Sequence, residues 1–74
     1  MVDMQPEMSI DSFGAKVWRL PNRNIHREDG PAVEYTDGDV EWRLDGSSMS
    51  FDKWLAKTTG LTDEEKVMMK LQYG

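Results

Sequence analysis

The chain has one histidine and no cysteine, which sets narrow bounds on the chemistry it can do. His26 stands in the run Ile25-His26-Arg27-Glu28-Asp29-Gly30-Pro31. A general base needs an oriented partner and a reacting group within reach. Glu28 or Asp29 is close enough in sequence to orient the imidazole. No nucleophile motif accompanies it: there is no cysteine, no Gly-x-Ser-x-Gly and no phosphate-cradling glycine loop. The plainer role is a turn in which His26, Arg27 and Asp29 satisfy backbone groups and one another, and the pattern favours it. No catalytic residue is assigned. One histidine with Glu28 and Asp29 falls short of a zinc ligand set, and Asp37-Gly38-Asp39 lacks the alternating ligands and closing glutamate of an EF-hand. Neither a metal nor a cofactor is expected.

The other residues with chemical reach are aromatic. Trp18, Trp42 and Trp54 offer ring faces on which bases or sugars stack, but tryptophans on an inward strand face or a helix stripe are more often core. Trp42 and Trp54 are read as core, and Trp18 as nearer an edge. In Val67-Met68-Met69-Lys70-Leu71 two adjacent methionines cannot share one helix face, so one of them is an exposed anchor of the adaptable kind methionine provides. The residues expected to touch a partner are His26, Arg27, Glu28, Asp29, Trp18, Met69 and Tyr73.

The elements that position these residues come from a repeat. Gly14-Ala15-Lys16-Val17-Trp18-Arg19-Leu20 recurs as Gly38-Asp39-Val40-Glu41-Trp42-Arg43-Leu44, 24 positions later, which reads as one supersecondary unit used twice. Val40, Trp42 and Leu44 alternate with Glu41 and Arg43, the period of a half-buried strand. In the first copy Trp18 and Leu20 are expected to face inward. Ala32-Val33-Glu34-Tyr35-Thr36 also alternates, and Asp37-Gly38 reads as a two-residue hairpin turn. Met8-Ser9-Ile10-Asp11 is the weaker partner of the first arm, turned at Ser12-Phe13-Gly14. Residues 21–31 carry Pro, Gly, Asn and Asp and read as loop. Asp45-Gly46 is a turn that closes the sheet, after which Ser47-Ser48-Met49 leads into a helix. Ser50 caps Phe51–Lys57, where Phe51, Trp54 and Leu55 share a face, and Gly60 stops it. Thr62 and Glu65 form a capping box for a second helix with Val67, Met68, Leu71 and Met69 as its apolar stripe. The expected fold class is α+β: a small antiparallel β-meander of two hairpin units, about four strands, covered by two short C-terminal helices. One domain spans residues 1–74, with the hairpin repeat at 8–46 and the helical tail at 50–73.

Seventy-four residues make a chain that buries only about 60% of its unfolded surface, so its stability is marginal without a staple. Cysteine being absent, no disulfide supplies one; self-association or a partner is what remains. A cysteine-free chain fits a reducing compartment. The start, Met1-Val2-Asp3-Met4-Gln5-Pro6-Glu7, lacks the basic and apolar regions of a signal peptide, and no run of about 18 apolar residues is present to span a bilayer. A cytosolic location is expected. The net charge of −5 argues against direct nucleic-acid binding, which needs a basic face. An acidic chain instead suits solubility or approach to a basic surface.

The string Trp18-Arg19-Leu20-Pro21-Asn22, then Ile25-His26-Arg27-Glu28-Asp29-Gly30-Pro31-Ala32-Val33-Glu34, then Trp42-Arg43-Leu44-Asp45-Gly46 resembles a repeat of small bacteriophage proteins, Trp-x-x-Asn-Gly followed by His-Arg-x-Asp-Gly-Pro-Ala. That repeat is loosely similar to MORN-type β-hairpins. The resemblance covers roughly residues 9 to 74, the helical ending included. Arg23 stands where the repeat has glycine, and the second copy lacks the His-Arg segment. The resemblance implies a β-hairpin repeat fold and expression in the cytoplasm of an infected bacterium, and brings no catalytic residue. Small acidic phage proteins often bind and disable a host protein. The expected function is therefore a non-enzymatic interaction module that binds and modulates or inhibits a bacterial host protein, in host takeover or counter-defence, with no membrane partner. The alternative is a small self-assembling structural protein, a homo-oligomer.

Overall fold

The computed structural model describes residues 5–74; of the start, residues 1–7, read as lacking a signal peptide, residues 1–4 lie outside the described residues. The chain runs β1 (Glu7–Ile10), β2 (Lys16–Arg19), β3 (Val33–Glu34), β4 (Val40–Leu44), β5 (Ser47–Met49), α1 (Phe51–Lys57) and α2 (Asp63–Tyr73). The strands form a sheet in sequence order, each antiparallel to the next. Antiparallel neighbours in chain order give this meander, with tight turns after β1, β3 and β4 and a longer connection, residues 20–32, between β2 and β3, and the expected α+β architecture is what the chain adopts.

The turns explain the order. In three places an amide reaches back three residues while the pair around it closes over four: Gly14 N to Asp11 O with Asp11 N to Ala15 O, Arg23 N to Leu20 O with Leu20 N to Asn24 O, and Gly38 N to Tyr35 O with Tyr35 N to Asp39 O. The third loop residue is left-handed each time, with φ of 87°, 73° and 96° at Gly14, Arg23 and Gly38. This is a three-residue loop closed by a glycine-type bulge. An acceptor side chain steadies each loop: Asp11 takes the Phe13 and Ala15 amides, Asn22 that of Asn24, and Asp37 that of Asp39. Asp37-Gly38 is thus part of a three-residue loop, not the two-residue turn its sequence suggests, because only Gly38 of the two takes positive φ. The two-residue turn lies at Asp45-Gly46, where both φ values are positive, 50° and 86°, as a type I′ turn requires. It sends the chain back as a fifth strand, β5, where the sequence suggested only a lead into the helix.

Side chains alternate across the sheet. Val17 pairs with Val33 and Val33 with Glu41, so these share one face. Their neighbours Trp18 and Trp42, opposite Met8 and Met49, share the other. Two clusters result. Ala15, Val17 and Val33 are buried with Ile25 against them. Trp42, Trp54 and Leu55 are buried with Phe51, Met49, Leu61, Met69 and Tyr73 around them. In β2 it is Val17 that is buried while Trp18 is only half-buried, the reverse of the inward Trp18 and Leu20 expected from the repeat. The small cluster takes the valines because two β-branched side chains meet across the β2–β3 pair.

Trp42 is the hub of the larger cluster. Its ring centroid lies 4.8 Å from Phe51, 4.5 Å from Trp54 and 5.0 Å from Tyr73, the last edge-on. Contacts of this geometry each contribute about 0.5–1.5 kcal/mol beyond area burial. Both helices are capped as their sequences specify: Ser50 accepts the Lys53 amide, and Thr62 and Glu65 form a reciprocal capping box. α1 ends on an extended Thr58 without a left-handed glycine. The stripe of α2 is rotated from expectation. Val67, Met68 and Leu71 are exposed, and Met69 and Tyr73, four residues apart, pack on Trp42 and its neighbours.

Candidate functional site

The segment from His26 to Ala32 leaves and re-enters the sheet beside a single residue. His26 N donates to Trp18 O at 2.9 Å, and Trp18 N donates to Ala32 O at 3.0 Å. The residues between are an excursion over the sheet, which is why β3 is only Val33–Glu34. At its root the excursion also binds the end of β4, through Arg27 N to Arg43 O and Gly46 N to Ile25 O.

Each polar side chain of the excursion has a partner. His26 Nδ1 accepts the Asp45 amide at 2.8 Å, so the proton of the neutral ring sits on Nε2, which faces Glu28 Oε2 at 3.5 Å. Asn24 reinforces the same turn by donating to Asp45 Oδ1. Arg27 stacks its guanidinium 3.9 Å from the Trp18 ring centroid and donates to Asp29 Oδ1 at 2.9 Å, to the Pro31 carbonyl at 3.1 Å and to Glu34 Oε2 at 3.1 Å. Guanidinium over indole is a cation–π contact, and the fork of donors fixes its plane.

The excursion then ties the sheet to the helices. Trp54 Nε1 donates to the Arg27 carbonyl at 2.9 Å, the one polar atom of a side chain that is otherwise fully buried. The Thr58 hydroxyl donates to the Glu28 carbonyl and the Thr59 hydroxyl to Glu28 Oε1. Gly60 completes the seam: a Cβ there would lie 2.6 Å from Glu28 Cβ and 2.7 Å from its carbonyl oxygen. Close approach, not helix termination, is what selects glycine at this position. The Thr59 hydroxyl holds the Glu28 carboxyl below its ordinary value of 4.5, with help from His26. Glu41 is lowered likewise by the Tyr35 hydroxyl and by Arg43, and the same bond raises Tyr35.

The sequence-selected residues therefore fall in two places. His26, Arg27, Glu28, Asp29 and Trp18 are brought together at the excursion, with Asp29 exposed and the others half-buried. Met69 and Tyr73 sit against Trp42 at the other end of the cluster, and the exposed methionine of the pair is Met68. A third set lies on the strand edge, a surface the sequence offers for contact without saying which strand forms it. β1 is exposed along its whole length, Met8 and Ile10 are 47% and 62% exposed, and Phe13 at the loop tip is 86% exposed. Their apolar type was visible; that no described residue covers β1 was not. A hollow of about 310 Å³ lies at the Glu7 end of β1, lined by Gln5, Pro6, Glu7, Arg19, Leu20 and Pro21. Among the described residues no group of three or more His, Cys, Asp or Glu is placed to hold a metal ion, and no helix is long and apolar enough to cross a membrane.

Comparison of the chain with family models, with curated proteins and with solved structures returned no match.

Proposed function

We propose that this chain is a non-enzymatic interaction module, encoded by a bacteriophage, that binds and modulates or inhibits a bacterial host protein in the cytoplasm of the infected cell. The observation that carries the binding role is β1. Among the described residues it pairs with β2 alone, both of its faces are exposed, and Met8 and Ile10 project from one of them. An open strand edge with alternate apolar side chains accepts an extended segment of another protein, whose main chain supplies affinity and whose side chains supply specificity. Glu7 and Asp11 flank the edge and the chain carries a net charge of −5, so the partner segment is basic. The resemblance to phage hairpin repeats supports the host setting. Asp29, exposed on the excursion, adds a second acidic contact beside Trp18, while His26, Arg27 and Glu28 hold that contact in place.

Affinity purification of the tagged chain from bacterial lysate, with mass spectrometry, tests this reading. One host protein in near-stoichiometric amount is expected with the natural sequence and not with Ile10→Lys, whose side chain is already in water. A lysate that returns nothing above background would overturn it.

A further inference from the structure

Helix α2 carries two apolar stripes and the molecule uses one. Met69 and Tyr73 face Trp42, whereas Val67, Met68 and Leu71 are 58%, 66% and 79% exposed. Leu71 is two residues from both Met69 and Tyr73, hence about 160° round the helix from each. The outer stripe points directly away from the core. None of the helix's 11 residues is buried, and a helix of that length is marginal on its own, since isolated helices need about 12–15 residues. The charges beside the outer stripe say what completes it. Asp63, Glu64 and Glu65 occupy the first turn and Lys70 the last, so a parallel copy would set acid against acid, whereas an antiparallel copy sets Asp63 against Lys70.

We propose that the outer stripe of α2 is a homodimer interface, joined antiparallel to the α2 of a second copy about a two-fold axis between Val67 and Met68. Val67 then meets Met68 of the second copy, and Leu71 meets the aliphatic stem of Glu64. Asp63 pairs with Lys70 on one flank, and Glu65 faces Gln72 on the other. The contact is isologous and closes on itself, and the opposed helix dipoles favour it. Three apolar side chains per copy place it in the small, weak class of interfaces, with Kd on the order of 0.1 mM. Dimerisation of the chain alone is independent of any host protein, so its failure and that of the host-binding reading are separable.

Sedimentation equilibrium of the purified chain, from about 10 μM to about 1 mM, spans that affinity. The average mass is expected to rise from 8.5 kDa towards twice that value. Leu71→Glu should weaken the dimer more than tenfold, with far-ultraviolet circular dichroism confirming an unchanged monomer. Lys70→Glu should weaken it as well, and adding Asp63→Lys to Lys70→Glu should restore it. A mass that stays at 8.5 kDa throughout overturns the proposal. A dimer indifferent to Leu71→Glu, or one the charge exchange fails to rescue, overturns this interface.

Discussion

Arg23 holds φ at 73° where Gly14 and Gly38, in the same loop geometry, hold 87° and 96°. The chain thus contains its own control for the cost of a side chain in the left-handed region. That conformation costs an L-residue about 1–2 kcal/mol, against about 0.5–1 kcal/mol of extra entropy that glycine loses on folding. Arg23→Gly is expected to raise stability by about 0.5–1 kcal/mol, read as a higher urea midpoint with unchanged slope. Glu28 gives a second residue-scale expectation. Its carboxyl is held below 4.5, chiefly by the Thr59 hydroxyl. A depressed carboxyl contributes stability above its unfolded pKa and loses it as pH falls through the folded one. Urea midpoints should therefore fall as pH drops below about 4.5, and Glu28→Gln should flatten part of that fall, Glu41 accounting for another part.

At the scale of elements, what was legible in the sequence was local. The Ser50 cap and the Thr62–Glu65 box need only residues three apart, and both are present. The 24-residue repeat carried its turn geometry with it, since Asp11 to Ala15 and Tyr35 to Asp39 close alike. β5 was not legible, because Ser47-Ser48-Met49 has neither strand propensity nor alternation and exists as a strand by virtue of the turn before it. The face of α2 was not legible either. Two stripes compete in its sequence, and the choice of Met69 and Tyr73 depends on where Trp42 and Phe51 lie. Gly60 shows the same limit: its sequence position suggests a helix stop, and its function is the seam with Glu28. Gly60→Ala is expected to cost about 2 kcal/mol or more, since the added Cβ meets backbone that cannot yield; thermal unfolding of the variant checks this.

For the whole molecule, the loop picked out by its His-Arg-x-Asp-Gly-Pro-Ala pattern is the junction through which the sheet holds the helices. The sequence located it by residue type. It left open whether Arg27 and Asp29 pair within the loop, which they do, and it could not foresee that Arg27 and Glu28 present their carbonyls to Trp54 and Thr58. The helices cluster on Trp42 of β4, while β1 at the far edge is exposed on both faces. The sheet is thus anchored at the end that carries β4, while β1, the edge strand at the other end, is exposed along its whole length.

The pair Trp42 and Trp54 has an optical consequence. Two indoles 4.5 Å apart and inclined at 44° share their electronic excitations, and such a pair gives a circular-dichroism couplet of opposite-signed bands in the far ultraviolet. One ring belongs to the sheet and the other to α1, so the couplet measures whether the two halves are joined. Trp18 is in no ring pair with either. The couplet therefore reports separation of helix from sheet without any attached label.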